Sequence, residues 1–252
     1  MQPHYRKISA EQLHYLPASP HHPANTYFHF SFADYCDPKN MNYGVLRVLN
    51  DDNVKPHHGF DKHPHENMEI VSYVVDGKLT HWDSATDTPD TLERGHVQTV
   101  TAGTGVWHSE LNQQDEWTRF LQIWIIPPAK GLPVRYENHK FELQDRQNRL
   151  LQIVGHSTES KQPPLHLHQD VNLYVSELTE RSAQVRYALP AGRQVYINNF
   201  EGKVDVRIAE EGLLQLSERD SLEVNGPAEL VFSAPQGHAH FILIEMPEME
   251  SS

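Results

Sequence analysis

Two short segments combine residue types and spacings that suit metal chemistry. Residues 59–77 read GFDKHPHENMEIVSYVVDG, and residues 103–112 read GTGVWHSELN. Alternate side chains of an extended strand project to one face, so His63 and His65 point together while Pro64 faces away. The proline stiffens the backbone between them and removes one ladder donor. His108 and Glu110 repeat the spacing, after Gly103 and Gly105 that permit a tight approach turn. Three imidazoles and a carboxylate suit iron, manganese, nickel, copper or zinc, and leave coordination positions open for substrate or oxygen. Neither pair is specific alone, since His166 and His168, and again His238 and His240, share the spacing. On spacing alone a plainer reading stands beside this one: exposed hairpin histidines with a capping glutamate. Phe60 and Trp107 flank the motifs and are candidates to line a pocket for a flat aromatic ligand, with core packing the alternative. Trp82 and Trp124 read as strand core.

The elements that must position these groups are strands. Helical periodicity is scarce, and short alternating or β-branched runs recur between turn residues. Strands are expected at residues 43–49, 69–75, 78–82, 97–101 and 120–126. The two histidine pairs are then separated by about forty residues that include a hairpin, enough chain to cross a small barrel and return. A weakly structured stretch from Pro127 to about Asn148 suits a connection. A second series follows at residues 171–178, 185–189, 194–199, 204–208, 222–224, 229–232 and 240–245. Asp76-Gly77-Lys78 and Glu201-Gly202-Lys203 occupy similar hairpin settings, a short echo between the two halves. The domains are therefore placed at residues 1–130 and 149–252, joined by residues 131–148.

Composition narrows the function classes. The 252 residues carry a formal net charge of −13, a field that repels phosphate backbones and disfavours direct nucleic-acid binding. No basic localisation run or DNA-binding helix pattern is evident. No run of about 18 apolar residues could span a bilayer, and residues 1–16 lack the apolar centre of a signal peptide. With the single Cys36, these features indicate a cytoplasmic location. Of the eighteen histidines, His21, His22, His57, His58, His166 and His168 lie near prolines or in polar stretches and read as surface groups.

The motifs resemble those of the cupin superfamily and, more narrowly, the pirin family with its bacterial quercetin 2,3-dioxygenases. The resemblance rests on Phe30-Ser31-Phe32-Ala33-Asp34-Tyr35, Asp37-Pro38, Leu46-Arg47-Val48-Leu49-Asn50, His63-Pro64-His65 with Met68-Glu69-Ile70, and residues 101–105 running on to His108-Ser109-Glu110. Gln122-Ile123-Trp124 and His168-Gln169-Asp170 extend it. It implies an all-β bicupin, two consecutive cupin (double-stranded β-helix) barrels. One divalent transition metal per chain is implied in the first barrel, held by His63, His65, His108 and Glu110: Fe(2+) foremost, with Zn, Cu, Ni, Mn or Co as alternatives. Many cupins draw their carboxylate from the position of Glu69, which makes Glu69 the competing ligand or an acceptor that orients an imidazole N–H. The implied activity is cleavage of flavonols such as quercetin, or a related enolisable phenol, with O2, Glu110 serving as ligand and base. The alternative is a redox-sensitive, metal-dependent cofactor acting through a protein partner. Aligning Gly202 with Gly77 sets Ala188, Pro190 and Gln194 where the first barrel has His63, His65 and Glu69. The second barrel is thus expected to hold no metal, with His166, His168, His238 and His240 partly exposed.

Overall fold

The computed structural model describes residues 4–156, 163–208 and 212–249. Two compact units form, each nearly all β. The first comprises His14–Phe141 with Leu165–Gln169. Its larger sheet runs, in spatial order, Arg135–Lys140, His96–Thr101, Glu69–Asp76, Thr118–Ile125, Leu46–Val54, Ala24–Phe28 and His14–Leu16. Its smaller sheet runs Gly59–His65, Val106–Leu111, Lys78–Asp83 and Asp90–Glu93. Apolar side chains from the two sheets meet in one cluster around Val54, Val74, Leu79, Leu92 and Phe120 and another around Ile70, Val100, Ala102 and Val106.

The second unit comprises Met1–Leu13, Glu142–Pro164 and Asp170–Ser252. Tyr5–Ile8, Ser221–Asn225, Arg193–Gly202, Ala239–Pro247, Asn172–Leu178 and Leu151–His156 lie side by side in one sheet; Gln184–Leu189, Ala228–Ser233, Val204–Ile208 and Gly212–Leu216 form the other. In both units the strand before the glycine turn is flanked by the same relative neighbours, so the echo between Gly77 and Gly202 marks a repeated topology. Both glycines have positive φ, 76° and 67°. A Cβ on Gly77 would stand 2.8 Å from the carbonyl oxygen of Trp117, and one on Gly202 would stand 2.3 Å from that of His238. Only glycine fits either turn without displacing a neighbouring strand.

Three sequence expectations change. The stretch read as a connection holds strand Arg135–Lys140, paired in register with His96–Thr101, and the short helix Leu143–Arg146. The N-terminal strand Tyr5–Ile8 pairs with Ser221–Asn225, so the chain begins in the second unit. The strand expected at residues 43–49 starts at Leu46, after a turn with Gly44 at φ 55°, and continues to Val54. Asn50-Asp51-Asp52-Asn53 looks like a loop, yet these residues are tolerated in the sheet because their carboxylates have partners. Arg119 donates two hydrogen bonds to Asp51, at 2.8 and 2.6 Å, and Thr26 donates to Asp52. Among the described residues no helix is long and apolar enough to cross a membrane.

Candidate metal centre

Strand Val106–Leu111 lies between Gly59–His65 and Lys78–Asp83, and its register assembles the centre. His108 stands opposite His63 on one side and Asp83 on the other, while Glu110 stands opposite His81. The rings of His63, His65 and His108 converge with centroids 4.5 to 4.8 Å apart. His63 is oriented by donating from Nδ1 to the Asp61 carbonyl at 2.7 Å, which leaves Nε2 aimed at Nε2 of His108, 2.9 Å away. Burial, then the neighbouring His63, lowers the His65 pKa to about 4. Burial, then His65 and His63, lowers that of His108 to about 2. Both imidazoles are therefore neutral near pH 7 and present lone pairs, the form a metal requires.

Glu110 enters through His108. Donor atoms of His63, His65 and His108 lie within 4.8 Å of one another, and so do those of His81, His108 and Glu110. The two sets share His108, and neither holds His63, His65, His108 and Glu110 together within that limit. Burial raises the Glu110 pKa, opposed by His81, Ser72, His63 and Gln122. Ser72 and Gln98 donate to Oε1, each at 3.1 Å, and Gln122 donates to Oε2 at 2.6 Å. Those three donors occupy one register row, Gln98 opposite Ser72 and Ser72 opposite Gln122.

The fit to a transition metal is good on this chain's own groups. A nitrogen-rich donor set with one carboxylate suits such ions. His108 Nδ1 and His81 Nδ1 are buried without hydrogen-bond partners, an arrangement that costs free energy in an apolar interior. His81 is absent from the motif reading because it stands alone in Lys78–Asp83. It stacks on Tyr136 at 4.7 Å and 3°, and pairs through Nε2 with Asp83 at 3.0 Å. Burial pushes the Asp83 pKa upward, but hydrogen bonds from His81, Thr86 and Ala85 outweigh it and hold the group at about 2.

A cavity of about 220 Å³ opens beside these groups, with His63, His65, Glu110 and Gln122 on its wall. Phe28, Phe32, Phe60 and Trp124 supply its aromatic surface. Trp124, read as strand core, packs against the Ile70, Val100, Ala102 and Val106 cluster and also forms cavity wall, its ring edge-on to His65 at 4.8 Å. Trp82 is half-buried beneath Lys62, whose Nζ lies 3.4 Å from the ring centroid. Trp107 is 52% exposed and flanks a separate surface depression with Pro64, Glu66 and Gly105.

Glu69 does other work. Fully buried, it accepts from the backbone N–H of His168 at 2.7 Å and of Gln169 at 2.9 Å, and meets His168 Nδ1 at 3.1 Å. It therefore ties segment Leu165–Gln169 to the first barrel, and it is in neither donor cluster. His22, read as a surface group, lines the cavity. His240, expected to be partly exposed, is fully buried and pairs with Glu201 at 2.7 Å; His238 remains 46% exposed. Counting register from Gly202 places Val206, Leu230 and Phe232 where the first barrel has His81, His108 and Glu110, and all three are in the second barrel's apolar core.

Two successive barrels of repeated topology, the first with a histidine–carboxylate cluster against a cavity, define a bicupin. The chain belongs to the pirin family: residues 10–125 match the Pirin model, and residues 154–246 match the model of the quercetinase C-terminal cupin domain. A pirin-like protein from Caulobacter vibrioides is 34% identical over 218 residues, 86% of this chain and 90% of that one. A quercetin 2,3-dioxygenase from Escherichia coli K12 is 36% identical over 178 residues, 70% of this chain and 74% of that one. The crystal structure of bacterial pirin YhhW from Escherichia coli in complex with nickel(II) superposes with a TM-score of 0.85 at 29% identity, covering 98% of this chain and 100% of that one.

Proposed function

We propose that His63, His65, His108 and Glu110 hold one divalent transition metal, iron(II) foremost, and that the first barrel uses it to cleave a flavonol or related enolisable phenol with dioxygen. The observation that carries this reading is the convergence of three imidazoles, two of them held neutral, on the wall of an aromatic cavity. The name of the Escherichia coli relative supports the substrate class. When bound, the ion would supply Lewis acidity to a hydroxyl oxygen of the ligand and a route for electrons to oxygen. Phe28, Phe32, Phe60 and Trp124 offer flat faces to a fused ring and exclude water from its path. Ser72, Gln98 and Gln122 fix the Glu110 carboxylate in a single orientation.

Oxygen uptake with quercetin tests the reading. Metal-loaded protein is expected to consume dioxygen and quercetin in equal amounts, and chelated protein to consume neither. Bleaching unchanged by chelation contradicts metal-dependent oxygenation. A rate no greater than that of free metal in buffer favours the role as an interaction cofactor.

A further inference from the structure

The cavity has a second carboxylate. Asp52 and Thr26 stand opposite each other on adjacent strands and face the same space as His63, His65 and Glu110. Thr26 Oγ1 donates to Asp52 Oδ1 at 2.5 Å, and His22 Nε2 lies 3.0 Å from that same hydroxyl oxygen. A hydroxyl that receives one hydrogen bond and gives another has a fixed direction, so His22 turns the Thr26 proton toward Asp52. Asp52 is 3% exposed, and the Thr26 hydroxyl is the one hydrogen-bond partner of its carboxylate among the described residues. Oδ2 is left available on the cavity wall. Glu110 differs: both of its oxygens already accept hydrogen bonds.

We propose that Asp52, held by Thr26 and His22, is the proton acceptor for the acidic enol or phenol hydroxyl of the ligand that occupies this cavity. The ligand O–H bond breaks, the proton bonds to Asp52 Oδ2, and the electron pair stays on the ligand oxygen. Glu110 is thereby left as a ligand to the metal and relieved of the base role. This assignment rests on the function proposed above and divides its labour between two carboxylates.

The surroundings agree with it. Burial raises the Asp52 pKa to about 7, Thr26 opposing and Asp51 and Glu110 adding. Asp51 is itself paired with Arg119, His63 and His65 share the cavity wall, and Lys55 acts on His22. An acceptor that titrates near neutrality can take a proton from a weakly acidic hydroxyl and release it again.

The test is a proton count. Nickel(II)-loaded protein is titrated anaerobically with 3-hydroxyflavone in buffers of different ionisation enthalpy at about pH 8, where Asp52 is mostly ionised. Wild type is expected to bind the ligand as its anion, by absorbance, while releasing well under one proton to the buffer, because the bound anion beside Asp52 raises its proton affinity further and Asp52 then keeps the proton at this pH. Asp52→Asn should release about one proton per bound ligand. Thr26→Val, which keeps the shape but removes the donor that favours ionised Asp52, should also release more than wild type. Anion formation with the same proton count in wild type and both variants overturns the assignment while leaving the proposed function standing. No binding of the flavonol by wild type removes both, and is seen before any variant is compared.

Discussion

His63, His65 and His108 point inward because a strand repeats every two residues, and that same rule puts Glu110 on the face of His108. Their companions follow a different logic. Ser72, Gln98 and Gln122 stand singly in apolar strands, and Asp52 in a polar run that looks like a loop. Register brings them together across the sheet, at separations of 38, 12 and 12 residues from Glu110 for the first three. Changing Glu110 to Gln should lower metal affinity by about tenfold or more, a typical effect at a site with so few ligands. Glu69→Gln should leave bound metal nearly unchanged, since Glu69 serves His168 and Gln169. Equilibrium dialysis of both variants checks the ranking, and the reverse order would make Glu69 the ligand. The convergence of His63, His65 and His108 was thus legible in the sequence, whereas His81 and the row that secures Glu110 were not. A lone polar residue in an apolar strand has no spacing partner to reveal it.

At the scale of elements, the same Glu69 joins distant chain to the first barrel. Replacing a buried carboxylate that accepts two backbone N–H bonds by an amide should cost about 1–3 kcal/mol. Hydrogen exchange at the His168 and Gln169 amides should quicken in Glu69→Gln, and unchanged protection would show that the segment is held by other contacts. The hairpins give a second check. Gly77 and Gly192 both have positive φ, but a Cβ on Gly77 meets backbone whereas one on Gly192 meets nothing within 4 Å. Gly192→Ala should cost about 1 kcal/mol through its backbone angle alone, and Gly77→Ala about 2 kcal/mol or more because a strand must move as well. Denaturant unfolding of both compares them; equal losses would contradict the crowding argument. Hairpin glycines are readable in sequence because their neighbours alternate. The strand Arg135–Lys140 is harder to read, since its residues are mostly polar and only pairing with His96–Thr101 makes it a strand.

For the molecule as a whole, two barrels of one topology have diverged in what fills them. The first keeps polar side chains at the register positions where the second has Val206, Leu230 and Phe232 in an apolar core. The repeated hairpin glycine foretold the shared topology, but the interleaving of the chain ends depends on pairing between residues more than two hundred apart. The second barrel retains one buried histidine, whose linkage to pH is a separate prediction. Burial lowers the His240 pKa from 6.5 to about 4, although Glu201 and Glu177 oppose the shift. The unfolded chain therefore binds the extra proton first, so the contribution of His240 is full above pH 6.5 and is lost as pH falls toward 4. Relative to His240→Gln, wild type should lose about 3 kcal/mol of stability across that interval. A pH-independent difference between the two proteins would show that His240 titrates normally.

The central claim is a single metal in the first barrel, and metal counting on natively purified protein tests it most directly. About one transition-metal ion per chain is expected, falling close to zero in His63→Ala and His108→Ala while circular dichroism reports an intact β fold, and holding steady in His238→Ala. Full occupancy in the two first-barrel variants, or about two ions per chain with one lost in His238→Ala, would contradict it.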